Sequence, residues 1–545
     1  MAAKVKKNGR PVKTHSKYQT SSGTSKGLVS SERTDKDSRG NRAGIWKWLP
    51  FLSARNFVFF SLAITFGALQ CYHISTMFEK DRFFSHLSDL EREMSFRSEM
   101  GLYFSYYKDM TEAPSISEGF NSAMHDKIVE YPSTVNALKR FNIYPEMFLG
   151  ILKREYESFM RYMNKPTKMC YTVKRGRGLS HVQNCEGMGD IAIFYINCIF
   201  FWNGVMMSLF FVLAVVLSGS IFGGIIAVAG FFYNHGECTR VQWTPPLRES
   251  MAYPFFVLQL LAVTYTLRIP RPRWIHSAFI MIPSLFFILC WQFAQFTLLT
   301  QMLSIFATFV LGYIGYAKLK CILQGQSVAL VAAYCLLFGN EMLLTSYFPA
   351  CLITLWVIVF LKPFFDKVSK LLLLWALQGF ILITGIISFK FLISTLLHIA
   401  DDAHIGNLLR TKLSNYKDFH TLLYVCSKEF DFIETETIIK LCMSLLLPCV
   451  FFAVIFLGRF LIKQECDRFR RRKSGGLSNK DQEEILTESK EGAEYIYHVF
   501  QTLAFTVMAV LIMRLKLFLT PQLCLMSSLL ASRKVCLVFS FDSFK

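Results

Sequence analysis

Charge is scarce in this chain: 18% of its 545 residues are Asp, Glu, Lys or Arg, while 53% are hydrophobic and the mean hydropathy is +0.35. A soluble protein of this length carries more charge and fewer apolar runs, so a soluble fold is excluded. No CxxC pair occurs among the 15 Cys, which removes the common zinc and redox frameworks. No P-loop, GxSxG, HExxH or Rossmann glycine pattern stands in a context that gives it meaning. There is no Asn-x-Ser/Thr acceptor site. Alternating strand patterns are missing too, which excludes a porin-like barrel. No internal repeat is visible, and charges within the apolar blocks are few, Lys390 being the main one. Both absences argue against an ion-coupled transporter or channel.

What the chain does have is about a dozen apolar blocks. They cover residues 57–76, 191–217, 221–233, 253–267, 275–290, 297–317, 321–338, 343–361, 371–396, 441–457 and 497–513, with the start of a twelfth at 523–531. Several reach the ~20 residues that a helix needs to cross a bilayer. The expected fold is an all-α polytopic membrane protein with about 11–12 transmembrane helices and a large first loop at residues 77–190.

Charge then sets topology. Residues 1–56 carry 13 Lys+Arg against 3 Asp+Glu and are rich in Ser, Gly and Thr, so they are expected to be disordered. The first apolar block comes too late for a cleavable signal and is expected to act as an anchor with its basic flank inside. Counting from a cytoplasmic N-terminus puts the connectors at Arg268, Lys318, Lys362 and Arg470 in the cytoplasm. The long first loop, the His235 hairpin, Trp291, Glu341 and the Asp401 loop fall on the opposite, lumenal side. The net charge of +20 thus reads as topology and contact with anionic lipid, not nucleic-acid binding. Cys170 and Cys185 share the first loop; a disulfide and two free thiols both fit an oxidising compartment.

Four clusters on the lumenal side could carry chemistry. Residues 90–103, read as one helix, pair Glu93 with Arg97 at i,i+4 and place Glu99 on a face with Phe96, Tyr103 and Tyr106. Desolvation by that aromatic strip would raise the basicity of Glu99; a purely interfacial helix is the bland alternative. The hairpin at 234–250 holds His235, Arg240 and Arg248 where basic residues are disfavoured. Arg suits a phosphate, although pairing with Glu237 and Glu249 would equally satisfy both arginines. Arg514 and Lys516 break the positive-inside trend in the same way. Asp401, Asp402 and His404 could hold a metal, but capping and turn chemistry explains them better, so no metal site is expected.

Taken together, these segments resemble a known family. The resemblance rests on Glu79-Lys80-Asp81-Arg82-Phe83-Phe84-Ser85-His86-Leu87, the run from Glu91 to Tyr107, the His235-Gly236-Glu237 to Arg248-Glu249-Ser250 hairpin, Trp291-Gln292-Phe293, Asp401-Asp402-Ala403-His404 and Met513-Arg514-Leu515-Lys516. In this order they are similar to the dumpy-nineteen-like protein tryptophan C-mannosyltransferases, over roughly residues 57–534. The resemblance implies a GT-C-type glycosyltransferase of the endoplasmic reticulum membrane. It would move mannose from dolichyl-phosphate-mannose to carbon 2 of a tryptophan indole in Trp-x-x-Trp sites, with no cofactor. It also implies Glu99, then Glu91, as the catalytic carboxylate, and Arg240, Arg248, Arg514, Lys516 and His235 about the donor phosphate. Phe96, Tyr103, Trp291, Gln292, Asp402 and His404 would line the acceptor pocket. Residues 535–545 depart from the family pattern and are expected to be an atypical tail. A catalytically silent membrane scaffold of the same fold is the alternative function.

Overall fold

The computed structural model describes residues 54–536 apart from 175, 177, 369, 399–409, 413, 415–418, 420–426 and 474–489. Asp401, Asp402, His404 and the tail after residue 536 lie outside the described residues.

Helix α1 (Ala54–Arg82) extends the first apolar block by a turn and a half at its C-terminal end. The first loop then folds into short helices: α2 (Asp89–Ser95), α3 (Glu99–Glu112), α4 (Ile116–Met124), α5 (Ala137–Phe141) and α6 (Tyr144–Tyr162). Strands β1 (Met169–Val173) and β2 (Val182–Glu186) pair antiparallel, with Cys170 opposite Cys185 in a disulfide. Buried Arg92 ties this hairpin down, donating to Cys185 O at 2.7 Å and Asn184 Oδ1 at 3.0 Å from β2 and to Phe84 O at 3.0 Å.

The membrane helices follow: α7 (Ile191–Ser218), α8 (Ile221–Tyr233), a short α9 (His235–Cys238), α10 (Arg248–Arg268), α11 (Trp274–Cys290), α12 (Ala294–Val310) and α13 (Tyr316–Leu336). After α14 (Glu341–Thr345) come α15 (Tyr347–Phe360), α16 (Lys362–Phe365) and α17 (Leu371–Leu397). Then come α18 (Thr435–Met443), α19 (Leu446–Lys473), α20 (Ala493–Leu511) and α21 (Lys516–Ser527). Among the described residues, seven helices are long and apolar enough to cross a membrane, and four more are apolar but shorter. This agrees with the expected polytopic all-α class.

Local chemistry sets the boundaries. Asp190 Oδ1 accepts from Ile193 N at 2.8 Å and starts α7, and Gly219 at φ +72° ends it. The block at 297–317 is cut short because Gly312 turns the chain at φ +78°. Lys318 therefore sits in the first turn of α13, where its Nζ donates to Leu267 O at 2.6 Å. Leu445, at φ +60°, separates α18 from α19 inside what reads as one block. The twelfth block begins at Lys516, not Leu523, and α21 is buried from Leu517 to Ser527.

Close backbone contact sets the packing of α1 on α7. A Cβ on Gly67 would lie 2.9 Å from Gly204 O, and one on Gly204 would lie 2.7 Å from Gly67 O. Ser208 Oγ donates across the same crossing to Ala63 O at 2.8 Å. Small residues replace the hydrophobic drive that lipid cannot supply. Deeper in the bundle, Gln259 and Gln301 exchange amide hydrogen bonds at 2.6 and 2.7 Å, and Gln301 also donates to Tyr497 OH at 2.9 Å. Buried polar groups in hydrocarbon need such partners.

The helices alternate direction, so the bundle has two distinct ends. At one, Arg268, Lys318, Lys362 and Lys490 gather at the starts and ends of α10, α13, α16 and α20. At the other, the first loop docks: Asn142 Nδ2 donates to Ile288 O at 3.0 Å, Asn340 Nδ2 to Lys139 O at 3.0 Å and Gln292 Nε2 to Arg140 O at 2.9 Å. Every described residue that the sequence nominates for chemistry lies at this second end.

Candidate functional site

The site grows from three stretches of chain: the start of α3, the α8–α10 hairpin and the α20–α21 turn. The expected single helix over 90–103 is broken. Phe96 ends α2 in extended conformation, and Ser98, at φ +54° and ψ −127°, turns the chain into α3. A non-glycine residue in that region is strained. The break has four consequences. Glu99 becomes the first residue of α3 and is exposed, without the desolvation expected from an aromatic strip. Phe96 is buried in a separate aromatic core against Phe84 and Phe104. Glu93 pairs with Lys108 at 2.8 Å instead of Arg97. Tyr106 turns away to bond Asp126.

Glu91 has a structural task. Its Oε2 accepts from Ser88 N at 2.9 Å and Ser88 Oγ at 2.8 Å, the reciprocal cap of α2.

The cations of the other two stretches converge. Arg240 meets Glu429 through both nitrogens, at 2.9 Å (Nη1 to Oε2) and 2.8 Å (Nη2 to Oε1), and lies 3.8 Å from Glu249. Arg514 reaches the same Glu249 at 3.5 Å. Lys516 holds Glu237 at 2.6 Å, with Lys440 of α18 at 3.9 Å from that carboxylate. Burial alone would lower the pKa of Arg514, but Glu249, Glu99 and Glu429 together raise it above its ordinary value. Glu99 therefore stands within electrostatic reach of this cation group.

Arg248 departs from the set. It is buried, donates from Nη1 to Glu146 Oε2 at 2.7 Å, and has its guanidinium carbon over the Tyr103 ring. Of the expected pairings with Glu237 and Glu249, that of Arg240 with Glu249 is present, with Glu429 as a second and closer partner, whereas Arg248 pairs with Glu146 instead. Glu429 and Glu146 escaped sequence reading. Pro145-Glu146 reads only as a helix start, which it also is, and nothing marks Glu429.

His235 is buried edge-on to His73, with ring centroids 4.8 Å apart, and neither of its ring nitrogens has a hydrogen-bond partner. Burial, with His73 adding to it, pushes its pKa down to about 4, so it is neutral at physiological pH. Gln242 Oε1, Ser250 Oγ, and Nε and Nη2 of Arg248 are likewise buried and without hydrogen-bond partners. Trp291 stacks on Phe518 at 5.7 Å and 9°, as packing between α11 and α21, and Gln292 is spent on Arg140 O. Neither faces the cation group through any of these contacts.

Fold and site define a polytopic helical membrane protein with a preassembled array of Arg, Lys and Glu at one end of its bundle. The family described as Dpy19, Q-cell neuroblast polarisation, matches residues 64–544. The chain is 48% identical over 474 residues to protein C-mannosyl-transferase DPY19L1 of Homo sapiens, covering 87% of this chain and 69% of that protein. It is 48% identical over 476 residues to the Rattus norvegicus protein of the same name, covering 87% and 63% respectively. C-mannosyltransferase dpy-19 of Caenorhabditis elegans is 40% identical over 477 residues, covering 87% and 67%. The chain belongs to the Dpy19 family, as the sequence resemblance implied, and spans about two thirds of the length of these relatives.

Proposed function

We propose that this chain is a protein C-mannosyltransferase of the endoplasmic reticulum membrane, with its N-terminus cytoplasmic and its site lumenal. The donor is dolichyl-phosphate-mannose and the acceptor is carbon 2 of a tryptophan indole in Trp-x-x-Trp sites of secretory and membrane proteins. The observation that carries this reading is the cation group, in which Arg240 and Arg514 share Glu249 and Lys516 holds Glu237, with exposed Glu99 within electrostatic reach of Arg514. Indole C2 attacks the anomeric carbon while the bond from that carbon to the phosphate oxygen breaks. Dolichyl phosphate leaves with the electron pair, and the cations stabilise its growing charge. The indole ring, briefly cationic, returns to aromaticity when Glu99 takes the proton from C2. An exposed carboxylate at the membrane edge suits this work, because the acceptor polypeptide itself excludes water when it docks.

A second reading has support from one feature. Each of these cations already faces a carboxylate: Arg240 has Glu429, Arg514 has Glu249, and Lys516 has Glu237. That balance favours a catalytically silent scaffold held by ion pairs. Reconstitution with dolichyl-phosphate-mannose and a Trp-x-x-Trp peptide separates the two. Transfer gives a peptide one hexose heavier whose fragmentation keeps the sugar on the indole carbon. Neither donor binding nor transfer would establish the scaffold.

A further inference from the structure

Glu99, Tyr103 and Tyr107 follow one another at i,i+4 spacing, so they share one face of α3. That face meets a single buried ion pair. The central guanidinium carbon of Arg248 lies 3.6 Å from the Tyr103 ring centroid. Its Nη1 donates to Glu146 Oε2 at 2.7 Å, and the other oxygen of Glu146 accepts from Tyr195 OH at 3.3 Å. Tyr195 stacks on Tyr107, with centroids 4.5 Å apart and planes 22° apart, and Tyr107 OH donates to Ile191 O at 3.2 Å. Helices α3, α6, α7 and α10 therefore meet at one charge pair. Glu146, Tyr107 and Tyr195 are each fully buried, and Arg248 is 5% exposed.

A buried ion pair is a poor device for stability, because desolvation offsets its attraction and apolar residues of the same size do as well. It does fix geometry, since each partner is costly to leave alone. Tyr103, the residue of α3 that Arg248 contacts, lies one turn from Glu99.

Resting on the transferase reading, we propose that Glu146 and Arg248 are positioning residues: their buried pair, acting through Tyr103, sets the place of Glu99 relative to the Arg240–Arg514–Lys516 group. Arg248 touches the reaction only through α3.

The test uses the full chain in lipid nanodiscs and the paired apolar replacement Glu146→Leu with Arg248→Met, which leaves no orphaned charge. Three quantities are read: donor KM against kcat for transfer, the pH profile of kcat, and the distance distribution between spin labels at Ser105 on α3 and Glu341 on α14. The expected result is a folded protein with a broadened or shifted label distance, a donor KM within about twofold, and kcat lowered by about 10²-fold, the scale of an ångström-sized misplacement. A lowered kcat with an altered pH profile separates misplacement of Glu99 from a loss of folded protein. Parent-like kcat overturns the proposal, and so does a loss confined to donor KM, which would make Arg248 a donor ligand. If the double variant fails to fold, Glu146→Gln is read on the same three quantities, and its parent-like kcat overturns the proposal. If the unsubstituted chain transfers nothing, the transferase reading fails and the label distance decides alone: an unchanged distance overturns the positioning role, and a shifted one supports it.

Discussion

Arg240 and Glu429 face each other fork to fork, with nitrogen–oxygen distances of 2.9 and 2.8 Å, although 189 residues separate them. A carboxylate in that position presents two anionic oxygens much as a phosphate would. If donor phosphate takes its place, Glu429 competes with the donor.

Glu429→Gln should therefore raise the affinity for dolichyl-phosphate-mannose, by up to about tenfold, since a charge-assisted contact is worth ~1.5–3 kcal/mol and only part of it is released. Titration calorimetry in detergent reads this directly. Weaker binding would mean that Glu429 aligns Arg240 instead of blocking it.

Glu99→Gln keeps the shape of the side chain and removes the base. Transfer should fall by ~10²–10⁴-fold while donor and peptide affinities stay near those of the parent. Single-turnover assays with saturating donor isolate this step. A near-parent rate would take the role from Glu99, and Glu91 would be poorly suited to inherit it while it caps α2.

Gly204→Leu should loosen the crossing of α1 and α7. The new Cβ would lie 2.7 Å from Gly67 O, with the backbone of α1 unable to give way. Overpacking of this kind costs ~1–3 kcal/mol. The midpoint of thermal unfolding, followed by size-exclusion chromatography after heating, should drop by several degrees. An unchanged midpoint would show that the two backbones are not in contact.

The buried His235 makes stability depend on pH in a definite sense. Its pKa falls from 6.5 to about 4 on folding, through burial and then through His73. As pH falls below about 6.5 the unfolded chain takes up this proton and the folded chain does not. Its contribution is therefore fully present above pH 6.5 and is lost between about 6.5 and about 4. The slope approaches ~1.4 kcal/mol per pH unit. His235→Phe should flatten that part of the stability curve relative to the parent, as read by denaturation at fixed pH steps. Parallel curves for the two proteins would contradict the burial of His235.

Much of this molecule is written in local pattern. Length and continuity of apolar residues determine that Ile191–Ser218 and Ile221–Tyr233 are helices, and the expected blocks there match within a residue. The alternation of basic and acidic connectors determines which loops share an end of the bundle, because charges cannot rest in hydrocarbon. The motifs of the 91–107 run and the 234–250 hairpin determine the family. Partner choice is different. Arg240 finding Glu429, Arg248 finding Glu146, and Glu93 finding Lys108 depend on chain segments brought together across the bundle or around a turn. Spacing along one helix favours the nearest opposite charge, and burial overrides it, since a desolvated guanidinium needs a carboxylate wherever the packing can supply one. The kink at Ser98 belongs to the same class. The 90–103 pattern suits one helix, but α2 is held by Arg92 to the disulfide hairpin and α3 by Tyr107 to α7, so the backbone bends between the two anchors. Sequence alone determined the long apolar helices, their order and the chemistry they carry to one end; tertiary packing decided where helices break, as at Ser98, and which charges meet, because those choices are made by long-range burial and not by neighbours in the chain.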